Sequence, residues 1–142
     1  MPLRTLLIAL ALALGLVSTT LTTPATAGDS DYGRTWRQDG TLRQGCHGYR
    51  FGYRVRPAAV LDGANDDWSA EFFLVDPRGH GLGSVVKDSD IDLRRGRGRF
   101  RVCRETTRPG RFKIRGKLSV YDDGVLEDEV WIKVGRFRLR RP

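Results

Sequence analysis

Arg111, Lys113, Arg115 and Lys117 stand at every second position of the chain. On an extended strand that spacing sends four cationic side chains out of one face in a row about 6.8 Å apart. Arg50, Arg54 and Arg56 repeat the pattern, as do Arg136, Arg138 and Arg140. Such rows suit recognition of phosphate, sulfate or carboxylate, because guanidinium presents a planar fork of donors to those groups. If two of these strands are neighbours, their like charges repel unless acidic side chains or a polyanion lie between them. A plainer explanation competes: one face of a sheet must be polar, and 21 arginines against 4 lysines also fit GC-rich codon usage.

Other chemistry is thinly represented. The two histidines, His47 and His80, have no Gly-x-Ser-x-Gly elbow or zinc-binding partner around them. His80 sits in a Gly-His-Gly turn, and His47 follows Cys46 directly, so on a strand the two side chains point to opposite faces. Asp66 with Asp67 and Asp122 with Asp123 fall in turn-forming segments that already explain them. The sequence therefore points away from an enzyme and gives no catalytic residue. Asp88, Asp90 and Asp92 begin like a calcium loop, but Leu93 stands where such a loop needs Gly, and Arg99 where it needs Glu. No metal site and no cofactor are expected, with calcium held by Asp88 or Asp90 together with Asp62, Asp66 or Asp67 kept open.

Residues 1–27 read as a secretory signal. Arg4 gives the positive n-region, Leu6 to Val17 a twelve-residue apolar h-region, and Ala25-Thr26-Ala27 a small-x-small cleavage site. Twelve residues of helix reach about 18 Å, short of the roughly 30 Å hydrocarbon core. The expectation is a protein secreted after cleavage at Ala27, with no membrane span in its mature form. Export places Cys46 and Cys103, the two cysteines, in an oxidising setting where they pair. The bridge would close a loop of roughly 58 residues and stabilise by about 4 kcal/mol in the chain-entropy picture. By parity both cysteines lie opposite the inward apolar residues, near the surface or at strand ends.

The elements that must position these residues have period two. Tyr49, Phe51, Tyr53 and Val55 alternate with polar positions until Pro57. Trp68 to Val75 reads as a central strand, joined through the Asp76-Pro77-Arg78-Gly79 turn to Leu82 to Lys87. Phe100 and Val102 mark a short strand, and Phe112, Ile114, Leu118 and Val120 a long one with Gly116 a candidate bulge. Asp122-Asp123-Gly124 is a hairpin signal leading to Val130, Ile132, Val134, Phe137 and Leu139. The Arg95-Gly96-Arg97-Gly98-Arg99 tract reads as a basic β-turn. Residues 28–45 are polar and read as a flexible N-terminal arm, leaving one domain at 46–142. The expected fold is all-β, a single antiparallel β-sandwich of jelly-roll or immunoglobulin-like form with about seven strands.

Asp67-Trp68-Ser69-Ala70-Glu71-Phe72-Phe73-Leu74-Val75-Asp76-Pro77-Arg78-Gly79, followed by Arg108-Pro109-Gly110-Arg111-Phe112-Lys113-Ile114-Arg115, resembles the bacterial pre-peptidase C-terminal domains. The resemblance covers about a third of the residues after the signal. It implies a secreted, jelly-roll-like sandwich that accompanies an exported hydrolase and in some cases binds matrix or cell-surface polymers.

Residues 28–142 carry 24 basic and 17 acidic side chains, a net +7 that favours anionic partners. The expected function is a secreted binding module for anionic envelope or extracellular polymers, through Arg111, Lys113, Arg115, Lys117, Arg50, Arg54, Arg136 and Arg138. The alternative is an accessory or inhibitor of an exported enzyme, with an exported protein as partner. A hydrolase has the least support.

Overall fold

The computed structural model describes residues 28–60 and 67–142. The signal segment, Asp62 and Asp66 lie outside the described residues. Eight strands follow in chain order: β1 Asp29–Trp36, β2 Gly40–Thr41, β3 Cys46–Val55, β4 Trp68–Val75, β5 Gly81–Asp88, β6 Arg95–Cys103, β7 Gly110–Asp122 and β8 Val125–Arg140. A 3-10 turn at Pro57–Ala59 stops β3, with Pro in its first turn as the missing N–H permits.

All eight strands belong to one sheet, in the order β5-β4-β7-β8-β1-β3-β6, with β2 added alongside β8. The edges β5 and β6 come back beside each other, so the sheet curls into a nearly closed, all-β shell. This differs from two stacked antiparallel layers. β1 and β2 both run parallel to β8 while the other pairings are antiparallel, which makes the sheet mixed. Hairpin signals announce antiparallel neighbours; a parallel pair between strands about a hundred residues apart leaves no local signature.

The alternation expected of β3, β4 and β7 is present. Tyr49, Phe51, Tyr53 and Val55 point inward beside Trp68, Ala70, Phe72 and Leu74, and Phe112, Ile114, Leu118 and Val120 complete their side of the core. Phe72 packs against Phe51 and Tyr53, with centroids 5.4 and 5.0 Å apart. Asp123 and Gly124 both adopt positive φ, 47° and 76°, the backbone of a tight hairpin turn between β7 and β8. Opposite Arg115, β8 spends two residues, Lys133 and Val134, between the pairs Ile114↔Gly135 and Gly116↔Ile132. This bulge switches the inward parity of β8 from Ile132 to Gly135, Phe137 and Leu139.

Two segments depart from the sequence reading. The expected arm at 28–45 contains β1, paired on one side with β3 and on the other with β8. Its inward positions are Gly33 and Thr35, small and polar, so no hydrophobic period announces it. The Thr35 hydroxyl donates to the Ile114 carbonyl (3.3 Å) and accepts from the Gly135 N–H (3.0 Å), which satisfies a polar group inside the shell. The Arg-Gly repeat is likewise no turn: it is β6, paired with β3 from Cys46↔Cys103 to Arg54↔Arg95. Its glycines face inward, where the rings of Phe51 and Tyr53 occupy the space a side chain would take. Arg95, Arg97, Arg99 and Arg101 face out.

The turn after β4 is tied at one corner to the loop that precedes β7. Asp76 is buried, and its carboxylate accepts from the Arg78 and His80 backbone N–H groups (2.8 and 2.9 Å), the Thr107 hydroxyl (2.9 Å) and Arg78 Nε (3.1 Å). Arg78 also donates to the Thr106 carbonyl, 2.8 Å away. Burial pushes the Asp76 pKa up, but these donors outweigh it and bring the group down to about 2. The corner is explained by its own hydrogen bonds.

Candidate cation-rich face

Cys46 and Cys103 are bonded, across directly opposed positions of β3 and β6 with Cα atoms 3.9 Å apart. Cys46 is exposed and Cys103 half-buried, as strand-end placement implies. The bridge clamps the ladder on which the densest charge lies. Arg50 faces Arg99 and Arg54 faces Arg95 across β3 and β6. On the other side of β3, Arg54 faces Arg34 of β1, and Arg34 in turn faces Lys133 of β8. Lys133, Arg34, Arg54 and Arg95 thus form a row across four adjacent strands, spaced by the sheet's own interval of roughly 4.8 Å. All four are exposed. Among the described residues none of them is in an ion pair.

Next to this row lies Trp36, opposite Gly52. Any side chain at position 52 would overlap the indole, so the ring lies directly on the β3 backbone. Its relative exposure is 39%, and the guanidinium carbons of Arg34 and Arg95 stand 5.6 and 5.9 Å from its centroid. Arg37, Arg50 and Arg97 join it in lining a cleft of about 560 Å³. Arg37 is half-buried, its guanidinium 5.1 Å from the Tyr49 ring and 5.2 Å from that of Phe137, and it donates to the Arg50 carbonyl. Among the described residues its Nε has no hydrogen-bond partner, and burial lowers the group's pKa.

The row expected on β7 is divided by its neighbours. Lys117 pairs with Glu129 at 3.0 Å, and that bond raises its pKa against the effect of burial. Arg115 lies 4.3 Å above the Trp131 ring, which also contacts Phe73. Arg111 and Lys113 remain without an ion pair among the described residues, directly opposite Arg138 and Arg136 of β8. Arg140 reaches Asp39 at 4.0 Å. Of the eight cations singled out from sequence, Arg50 and Arg54 therefore stand in one cluster, and Arg111, Lys113, Arg136 and Arg138 in another. Missed were Arg34, Lys133 and the four outward arginines of β6. Arg99, Arg101 and Lys133 lie on strands that the sequence displays; for Arg34, Arg95 and Arg97 nothing local told a strand from an arm or a turn.

The remaining candidates are accounted for by structure. His47 Nε2 lies 2.6 Å from the Gln44 carbonyl, and His80 is exposed in its turn. The Asp88 carboxylate accepts from the Asp90 N–H, and Asp92 pairs with Lys87 at 2.8 Å. Among the described residues, one group of potential metal ligands comes together, Cys46, Cys103 and Glu105, and the disulfide consumes both thiolates. No described helix is long and apolar enough to cross a membrane.

Comparison with models of known protein families gives no match, and comparison with curated proteins gives no relative; the pre-peptidase likeness rests on its two segments alone.

Proposed function

We propose that this chain is an exported binding module for anionic polymers, and that it engages them on the outer face of β8, β1, β3 and β6. The observation that carries the reading is the row Lys133, Arg34, Arg54 and Arg95, four cations side by side and in no ion pair among the described residues. A folded protein keeps like charges adjacent at a cost to stability. A polymer bearing regular negative charge converts that cost into attraction. The cluster of Arg111, Lys113, Arg136 and Arg138 extends the basic surface along β7 and β8. Export rests on Arg4, the Leu6 to Val17 apolar run and the Ala25-Thr26-Ala27 site.

The test is retention on immobilised polygalacturonate and polyphosphate, at about 0.1 M salt, where the Debye length is about 10 Å, and at 1 M, where it is about 3 Å. The wild type should bind at the lower salt and elute at the higher. Replacing Arg34, Arg54 and Arg95 together by Gln should weaken binding about a hundredfold, on the scale of about 1 kcal/mol per surface cation facing an anionic layer. Arg115→Gln with Lys117→Gln, which removes already occupied cations, should matter far less. Equal behaviour of the two variants would sink the reading and favour an accessory or inhibitor bound to an exported protein.

A further inference from the structure

Trp36 is the one aromatic side chain among the exposed large hydrophobics of the described residues. The fold holds it there: the strand position opposite carries glycine, the indole lies against that backbone, and the Arg34 and Arg95 guanidinium groups stand over the ring. The ring keeps 39% of its surface exposed and borders the cleft. A flat apolar surface that rigid gains from a flat apolar partner. The charges beside it dictate what else the partner carries. Both guanidinium groups are within 6 Å of the ring centroid, so an anion meeting them must be attached close to the group that stacks.

A uronic acid satisfies both conditions, because its carboxylate is a substituent of the pyranose ring whose C–H face would lie on the indole. In a nucleotide the phosphate is a ribose away from the base. Single-stranded nucleic acids are also typically held by stacking successive bases on several aromatic side chains, whereas Trp36 is the one aromatic among the exposed large hydrophobics of the described residues. Polyphosphate has no ring to stack. The predominance of arginine fits the same ligand, since the guanidinium fork receives a carboxylate through two parallel hydrogen bonds.

We infer that the cleft over Trp36 is a stacking subsite for a carboxylate-bearing sugar ring, so that the polymer taken by this face is an acidic polysaccharide of the polyuronate class. This rests on the polyanion reading and specifies its ligand. Trp36 supplies the platform, Arg34 and Arg95 receive the carboxylate of the stacked sugar, and the cations along the row receive those of neighbouring sugars.

The experiment compares wild type, Trp36→Ala and Trp36→Phe on polygalacturonate, on polyphosphate and on single-stranded poly-dT, with thermal melting to confirm that each variant is folded. Trp36→Ala should bind polygalacturonate roughly tenfold more weakly, the loss expected for one stacked ring, and bind polyphosphate as wild type does. Trp36→Phe should fall between. Polygalacturonate should also change the tryptophan emission of wild type, and the change should vanish in both variants. An equal loss on polygalacturonate and polyphosphate, or no loss on polygalacturonate, would overturn the stacking subsite while leaving the polyanion reading standing. A larger Trp36-dependent loss on poly-dT than on polygalacturonate would overturn it in favour of a base platform. Failure of wild type to bind any of the three polymers at low salt would remove the polyanion reading itself.

Discussion

Charge is handled in opposite ways at the Asp76 corner and on the outer face of β1, β3 and β6. At the corner a single carboxylate with no exposed side-chain surface collects four hydrogen bonds. On the outer face Arg34, Arg54 and Arg95 lie beside one another, with Arg50 opposite Arg99, and no acidic side chain among the described residues pairs with them. Burial explains the difference. A charge removed from water must be satisfied by the protein or it costs several kcal/mol. Exposed charges are solvated and screened, so crowding them costs little enough to be kept where a ligand uses it. The first arrangement holds two loops together; the second leaves binding capacity on the surface.

The largest effect should come from the bridge that clamps the crowded ladder. Replacing Cys46 and Cys103 by Ser should lower stability by about 4 kcal/mol. Because β3 and β6 repel each other through Arg50, Arg99, Arg54 and Arg95, part of that loss should be recovered by added salt. Denaturant melts at low and high ionic strength measure it, and a loss independent of salt would break the link between the bridge and the repulsion.

Asp76→Ala should cost about 3 kcal/mol, since it strips a buried acceptor from several donors at once. The pH dependence has a defined sign. The folded pKa of about 2 lies below the ordinary aspartate value of 3.8, so Asp76 contributes its full stability above the higher value and loses it as pH falls through the lower one. Acid titration of stability should therefore be shallower in Asp76→Ala than in wild type across that window.

The unpartnered row should behave in the opposite sense. Arg34→Gln, Arg54→Gln and Arg95→Gln combined should raise the stability of the free protein by up to about 1 kcal/mol at low salt, as like-charge contacts disappear. A higher melting temperature together with weaker polymer binding would identify the row as a surface kept for its ligand. Lys117→Gln gives the smallest change, a loss of about 0.5 kcal/mol, because it breaks a partly exposed pair with Glu129. Thermal melts of the two variants at one salt concentration would show whether paired and unpaired cations differ in sign.

Strands whose inward residues are large were legible in the sequence. Tyr49 to Val55, Trp68 to Val75 and Phe112 to Val120 display their buried face in their own residues, and Asp123-Gly124 displays its turn. β1 and the Arg-Gly half of β6 were not legible, for a shared reason. Their inward positions include Gly33 and Thr35, or Gly96 and Gly98, and what fills or satisfies those places comes from distant residues: Gly135 and Ile114 for Thr35, Tyr53 and Phe51 for the two glycines. The cation-rich face inherits that difficulty. Arg54 and Arg50 were visible on a readable strand, whereas Arg34, Arg95, Arg97 and Trp36 belong to the two strands whose period was hidden. The cation row needs register across four strands, and no single segment contains that.

The parallel pairing of β1 with β8 also sets an order of events. β1 can find β3 early, because the two are close in sequence, but its other edge stays open until residues 125–140 arrive from nearly a hundred positions away. Closing so long a loop carries an entropic cost and makes folding slow for a chain of this size. The placement of Arg34 opposite Lys133 is made in that same closing step. Avidity for a polymer consequently reports completion: a chain halted before the β1–β8 pairing would retain its arginines and lack the spacing that lets them act together.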